Sequence, residues 1–347
     1  MKREGKYIYG IVESDEELSF DPHGIEGGER VYTIPHRDIA AVVSDSELCD
    51  YATLLKSEVA RRLIHHQQVI ESVMRRFSVI PMRVGTYADS MTQAQDVLAR
   101  GYELAKGVFK EIADRVEIDV AVTWSDFDAL LKETGEMKEV RAIKAKLLAS
   151  SDGVTVQDQM TVGLMVKKLL DERRNACAAV VLHELKGVSC GFREHELMDD
   201  TMVLNSAFLV SHDNRETFDA RVDELNARFD EKLDFRRIGP LPPYSFFTLE
   251  VNKLGSDRVN WARRIFSLGD AATRTELKKI HQKLAFSSHP DTNPDGTDME
   301  KVFDDLTRAW KILDEYARAS EQGGDSEILS FKDSDIKRNS IFVRCRE

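Results

Sequence analysis

The sequence predicts an α+β protein whose C-terminal part turns almost purely helical, and three observations carry that prediction. Short runs of β-branched and aromatic residues alternate with amphipathic helical patterns as far as Val251. The spacing between the strand-like runs suits antiparallel connections. From there to Ala319 the apolar residues recur at helical spacing.

Taken in order, residues 6–12, 31–34 and 39–43 read as strands. Residues 53–77 form a helix in which Leu63, Ile70, Val73, Met74 and Phe77 make the apolar stripe, while Arg61, Arg62, Glu71, Arg75 and Arg76 take the other faces. A short strand at 79–84, a helix at 89–113 and a strand at 117–124 follow, the last with Ile118, Val120 and Val122 on one side. Trp124-Ser125-Asp126 opens a charged helix over 127–149, which Ser150-Ser151-Asp152-Gly153 breaks. A helix at 157–185, a strand at 202–210, a helix at 214–230 and strands at 235–238 and 244–251 complete the mixed region. The boundaries expected are a domain over 1–124, a second over 125–252, a helical domain over 258–319 and a flexible tail over 320–347.

Composition narrows the function classes. The 347 residues allow two or three domains, and 42% hydrophobic with 32% charged residues suits packed cores rather than disorder. A formal net charge of −12 repels nucleic acid and anionic lipid, so neither is an expected partner. The longest apolar run, 176–182, is far short of the ~20 residues of a membrane helix. There is no secretory pattern at the start, and Cys49, Cys177, Cys190 and Cys345 are scattered, which together point to a reducing cytoplasm.

Two motif sets carry the functional reading. In residues 238–247, Pro240, Pro242 and Pro243 fix φ and remove three amide donors, so the segment reads as a stiff connection delivering an aromatic strand from Tyr244. Its P-x-x-P spacing is also that of a polyproline ligand, but strands flank it directly. Together with residues 7–12, 66–71 and the run 80–86 containing Pro81, Arg83 and Gly85, it resembles the GvpL/GvpF family over residues 6–251, with Val84 where the family tends to have Phe. The resemblance implies two α+β domains, the second ferredoxin-like, and a cytosolic accessory role in gas vesicle formation. The implied partners are the hydrophobic shell protein and other gas vesicle accessory proteins.

Further on, Thr273-Arg274-Thr275-Glu276 is a capping box opening a helix with Leu277, Ile280 and Leu284 on one side. At about 100° per residue, Arg274, Lys278, Lys279 and Lys283 form a basic outer face. Pro290 stops the helix, leaving His289-Pro290-Asp291 in a loop, and a second capping box at Thr297–Glu300 opens a helix striped by Phe303, Leu306, Trp310 and Leu313. This hairpin resembles a J domain, which implies that the tripeptide and the basic face would engage a DnaK-type chaperone. His281-Gln282, where the family usually has an aromatic-basic pair, Thr292 in place of Lys, and the lack of an evident fourth helix are departures.

Other chemistry is poorly supported. Residues 291–296 begin like a calcium loop, but Val302 stands where the bidentate Glu belongs. His183-Glu184 and His195-Glu196 lack the second histidine of a zinc helix, His65 and His66 diverge on a helix, and no nucleotide-binding or nucleophile-elbow motif occurs. No metal, cofactor or catalytic residue is therefore expected, and the protein reads as a non-enzymatic gas vesicle assembly factor with a chaperone-recruiting module. The alternative is a general J-domain co-chaperone acting on a different client.

Overall fold

The computed structural model describes residues 4–149, 155–229, 232–288, 299–322, 328–339 and 341–345. Two compact units result, one from Met1–Ala113 with Phe247–Glu347 and one from Asp114–Phe246.

The first unit opens with a six-stranded antiparallel sheet. Its strands are β1 (Glu4–Val12), β2 (Ser19–His23), β3 (Arg30–His36), β4 (Ile39–Glu47), β5 (Val79–Pro81) and β6 (Tyr87–Ala88), ordered β2-β3-β4-β1-β5 with β6 also on β1. A bulge between Ile8 and Gly10 switches the phase of β1. Tyr7 before it, Tyr9 within it and Val12 after it join the core under α1 (Lys56–Met74). Ile8 and Ile11 join the core under α2 (Met91–Ile112). Helices thus cover both faces of the sheet. The buried face of α1 differs from the expected one: Arg62 and His66 lie inward with Val69, Ile70 and Val73, while Leu63 is exposed. Arg62 is fully engaged, while His66 is bonded at one ring nitrogen only, its Nε2 being buried without a hydrogen-bond partner. Arg62 Nε donates to Glu58 at 2.9 Å and its guanidinium donates to the Tyr87 hydroxyl at 3.2 Å, and His66 Nδ1 meets the Tyr7 hydroxyl at 2.9 Å.

The second unit contains β7 (Arg115–Trp124), α3 (Phe127–Gly135), α4 (Lys138–Leu148), α5 (Val156–Lys186), β8 (Gly191–Glu194), β9 (Met202–Ser211), α6 (Arg215–Arg228) and β10 (Leu233–Leu241). All strands pair antiparallel in the order β10-β7-β9-β8, the order of a ferredoxin-like β-α-β-β-α-β sheet with extra helices in its first crossover. The expected helix over 127–149 is two helices, separated after Gly135. β7 belongs wholly to this sheet, so the division falls between Ala113 and Asp114 and not after Trp124.

The expected strand at 244–251 is also corrected. After Pro242 and Pro243 the chain turns, Tyr244 N donating to the Pro242 carbonyl at 2.6 Å and Phe246 N to that of Pro243 at 3.1 Å, which makes one helical turn, α7 (Tyr244–Phe247). The strand, β11 (Leu249–Lys253), starts only beyond it.

From β11 onward the chain is back in the first unit. α8 (Ser256–Ile265), β12 (Ala271–Thr273), α9 (Arg274–Ser288), α10 (Met299–Gln322), β13 (Ile328–Ser330) and α11 (Asp333–Asn339) share one apolar core, built on Val259, Phe266, Leu277, Leu306, Leu313 and Tyr316. The last strand, β14 (Ile341–Cys345), pairs antiparallel with β11. The region expected to be a loose tail therefore contains β13, α11 and β14, and Val343 is fully buried with the α2 core. The approach is close: a Cβ on Gly101 of α2 would lie 3.2 Å from the Val343 side chain.

Candidate functional site

The helical hairpin of α9 and α10 is built from its ends inward. Thr273 caps α9, its hydroxyl accepting from Glu276 N at 3.1 Å while Thr273 N and Oγ1 donate to the Glu276 carboxylate at 2.7 and 3.0 Å. These donations hold the Glu276 carboxyl below its ordinary range. The predicted capping box is therefore present. The second one begins at Thr297, outside the described residues, as do His289, Pro290 and Asp291 and the calcium-like run after them.

Lys278, Lys279 and Lys283 are exposed on α9, opposite buried Leu277. Arg274 departs from the expected outer face. Its guanidinium donates to Glu321 at 2.7 Å and to Asp314 at 3.2 Å, both on α10. The reason is geometric: Arg274 opens α9 beside the end of antiparallel α10, where those carboxylates lie. It clamps the hairpin and leaves the outer face to the lysines.

His281 fills the aromatic place that its sequence position left in doubt. Its ring stacks on Trp310 at 4.3 Å with an interplanar angle of 11°, and Phe266 lies 6.3 Å from His281 and 6.4 Å from Trp310. Partial burial lowers its pKa, which favours the neutral ring. At the far end, the Gln322 side chain exchanges two hydrogen bonds with the Val343 backbone at 2.8 and 3.0 Å, and Arg100 of α2 donates to the Ala319 carbonyl at 2.9 Å. The hairpin is thereby fastened to the first sheet's helix layer.

The motif residues of the mixed region are structural joints. Pro81 ends β5 beside Gly10 of β1. Arg83 N donates to the Leu249 carbonyl at 2.8 Å, and its guanidinium reaches buried Glu250 at 3.4 Å. Arg344 of β14 meets the other oxygen of Glu250 at 3.3 Å, so one carboxylate joins three segments. Gly85 has φ +85°, and a Cβ there would lie 3.0 Å from the Tyr51 ring, while its N–H donates to the Tyr7 hydroxyl at 3.3 Å. In the second unit Pro242 and Pro243 are buried, Pro240 is exposed and follows a cis peptide, and Tyr244 begins α7.

One contact there had no local signal in the sequence. Ser245 N and Oγ each donate to the Glu117 carboxylate at 2.8 Å. Burial, with Asp119 nearby, pushes the Glu117 carboxyl well above its ordinary range. The Glu117–Ser245 pair pins the Pro-rich connection to β7.

Among the described residues no group of three or more His, Cys, Asp or Glu side chains is placed to hold a metal ion, and no helix is long and apolar enough to cross a membrane. Cys49, Cys177, Cys190 and Cys345 are free thiols.

Known proteins share both parts of this architecture. Residues 264–320 match the DnaJ domain. Over 68 residues the chain is 35% identical to the chaperone protein DnaJ of Prosthecochloris aestuarii, which is 19% of this chain and 17% of that protein. Gas vesicle protein F2 of Halobacterium salinarum is 27% identical over 248 residues, covering 71% of this chain and 93% of that protein. The crystal structure of gas vesicle protein GvpF from Anabaena shares the fold with a TM-score of 0.58 at 24% identity, over 70% of this chain and 97% of that one. Residues 5–248 match the family described as gas vesicle synthesis protein GvpL/GvpF, and with that match spanning both the first sheet and the ferredoxin-like unit, the chain belongs to the GvpL/GvpF family and carries a J domain behind it.

Proposed function

We propose that the protein is a non-enzymatic assembly factor of the gas vesicle in the cytoplasm, which binds the hydrophobic shell protein and recruits a DnaK-type chaperone to it. A shell that keeps water out needs strongly apolar subunits, and such subunits aggregate before they are incorporated. A shell-protein binder joined to a chaperone recruiter meets that hazard directly.

The observation that supports this reading most is that the J domain shares a compact unit with the first GvpL/GvpF sheet, with Lys278, Lys279 and Lys283 turned to solvent. An exposed cationic face suits an acidic surface of a chaperone. His289→Gln is the test. Loss of stimulated ATP hydrolysis by the partner chaperone together with a lower vesicle yield is the expected result, and no change in either refutes chaperone recruitment.

A further inference from the structure

Side chains of β7 alternate between the two faces of the second unit's sheet. Ile118, Val120 and Val122 point toward α6: Phe208, the register partner of Ile118, meets Phe218 of α6 at 5.4 Å between ring centres. Arg115, Glu117 and Asp119 therefore lie on the opposite face, yet Glu117 is only 1% exposed. Residues 242–246 run across it there. Ser245 N and Oγ both donate to Glu117, and a Cβ on Gly191 of β8, which faces the same way, would stand 3.6 Å from the Phe246 ring.

Glu117 has a second carboxyl beside it. That of Asp119 is within hydrogen-bond reach, and its Oδ1 is buried without a hydrogen-bond partner. Two ionised carboxylates so placed repel each other, whereas one shared proton removes the repulsion and supplies the missing donor. Leu209 and Ala207 of β9, with Leu241 and Ile238 of β10, stand opposite the pair. Arg236 of β10 lies further along, opposite Ala121, and Arg193 of β8 holds its guanidinium 5.8 Å from the centre of the Phe246 ring. Arg115 precedes the pair on β7, and Tyr244 precedes Ser245. His195 Nε2 is 3.2 Å from Ser245 Oγ, and its charge favours ionised Asp119. Burial first, and then Asp119, push the Glu117 carboxyl up to about 8 against the opposing pull of the Ser245 hydrogen bonds.

We propose that residues 242–246 are a proton-operated strap on the face of this sheet turned away from α6, closed while the Glu117–Asp119 pair shares a proton and loosened when that proton leaves. The strap is the last stretch of the second unit before the chain returns to the first at Phe247. Opening withdraws Ser245 and Phe246 from the sheet and hydrates the Glu117 carboxyl, which then titrates near its ordinary 4.5. Between that value and about 8 the closed strap keeps a proton that the open one releases. Closure is therefore firmest below the window and weakens as the pH rises through it. The opening equilibrium should grow about tenfold per pH unit inside the window and level off above it.

Hydrogen exchange of the full chain, read by mass spectrometry at several pH values between about 5.5 and about 8.5, tests this, with labelling times scaled to cancel the intrinsic pH dependence of exchange. The fragment holding Tyr244, Ser245 and Phe246 is expected to lose protection roughly tenfold or more between about pH 5.5 and about pH 7.5, while fragments from β7 and β9 keep theirs. Glu117→Gln keeps an acceptor for Ser245 but has no proton to release, and its strap should show the same protection throughout. Asp119→Asn removes the like charge, brings Glu117 closer to its ordinary value and should shrink the total loss. His195→Gln should retain the wild-type response, because the carboxyl pair is the source of it. The Tm of each variant checks that the fold is kept.

Constant protection of the wild-type strap across the window overturns the proposal, as does an undiminished response in Glu117→Gln. A response abolished by His195→Gln alone would assign the proton to the imidazole and overturn the carboxyl pair. Equal loss of protection in β7 and β9 would mean that the whole unit opens and that no separate strap exists. If Glu117→Gln fails to fold, Asp119→Asn decides, and a total loss as large as that of the wild type refutes the shared proton.

Discussion

His66 offers a sharp test of the first unit's core. Its imidazole is 2% exposed, and burial lowers its pKa from 6.5 to about 4. Between those values the unfolded chain binds a proton that the folded chain refuses, so stability rises with pH across that window. The contribution is intact above pH 6.5 and is lost as the pH falls toward 4. At about 1.36 kcal/mol per pKa unit the full loss is about 3 kcal/mol, most of which has gone by about pH 4.5. His66→Gln removes the titration while leaving a polar side chain near the Tyr7 hydroxyl. Urea unfolding of both proteins at about pH 7.5 and about pH 4.5 isolates the difference, because every other titrating group is shared. The wild type should lose about 2–3 kcal/mol more than the variant over that interval. An equal loss in both would mean that the buried imidazole protonates without penalty, and the reasoning would be wrong.

Three further outcomes follow from the site. Arg274→Ala should destabilise the J domain by about 1 kcal/mol through loss of its two partly exposed ion pairs. Lys279→Ala should leave Tm unchanged and lower only chaperone stimulation, so equal Tm values for the two variants would contradict the clamp assigned to Arg274. Gly85→Ala should cost about 1–2 kcal/mol, since an L side chain at φ +85° is strained and Tyr51 blocks the Cβ; a melting curve that matches the wild type would refute this.

What the sequence could reveal depended on how local the cause was. The Thr273–Glu276 capping box, the stripe of Leu306 and Leu313, and the lysines of α9 were legible because each rests on neighbours within a turn or two. The run Gly191–Glu194 went unread as a strand because it is short and nearly without apolar signal, and only β9 makes it one. Arg62 and Arg274 were assigned to solvent on their charge; Glu58, one turn back from Arg62, is a local partner, but Glu26 and Tyr87, which hold Arg62 inward, and Asp314 and Glu321, which hold Arg274, are side chains no local pattern reveals. The Gly-rich start of residues 320–347 suggested a loose end, and β14 is a strand only because β11, far back in the chain, offers its edge. The Glu117–Ser245 contact was hidden for the same reason, its residues standing far apart in sequence.

The pairing of β14 with β11 also orders events at the ribosome. Residues 114–246 form a continuous stretch and can close their sheet as soon as they emerge, whereas the first unit waits for residues 341–345 before its α2 layer is sealed by Val343. During translation, then, residues 4–113 leave the exit tunnel before residues 114–246 yet belong to the unit completed after them.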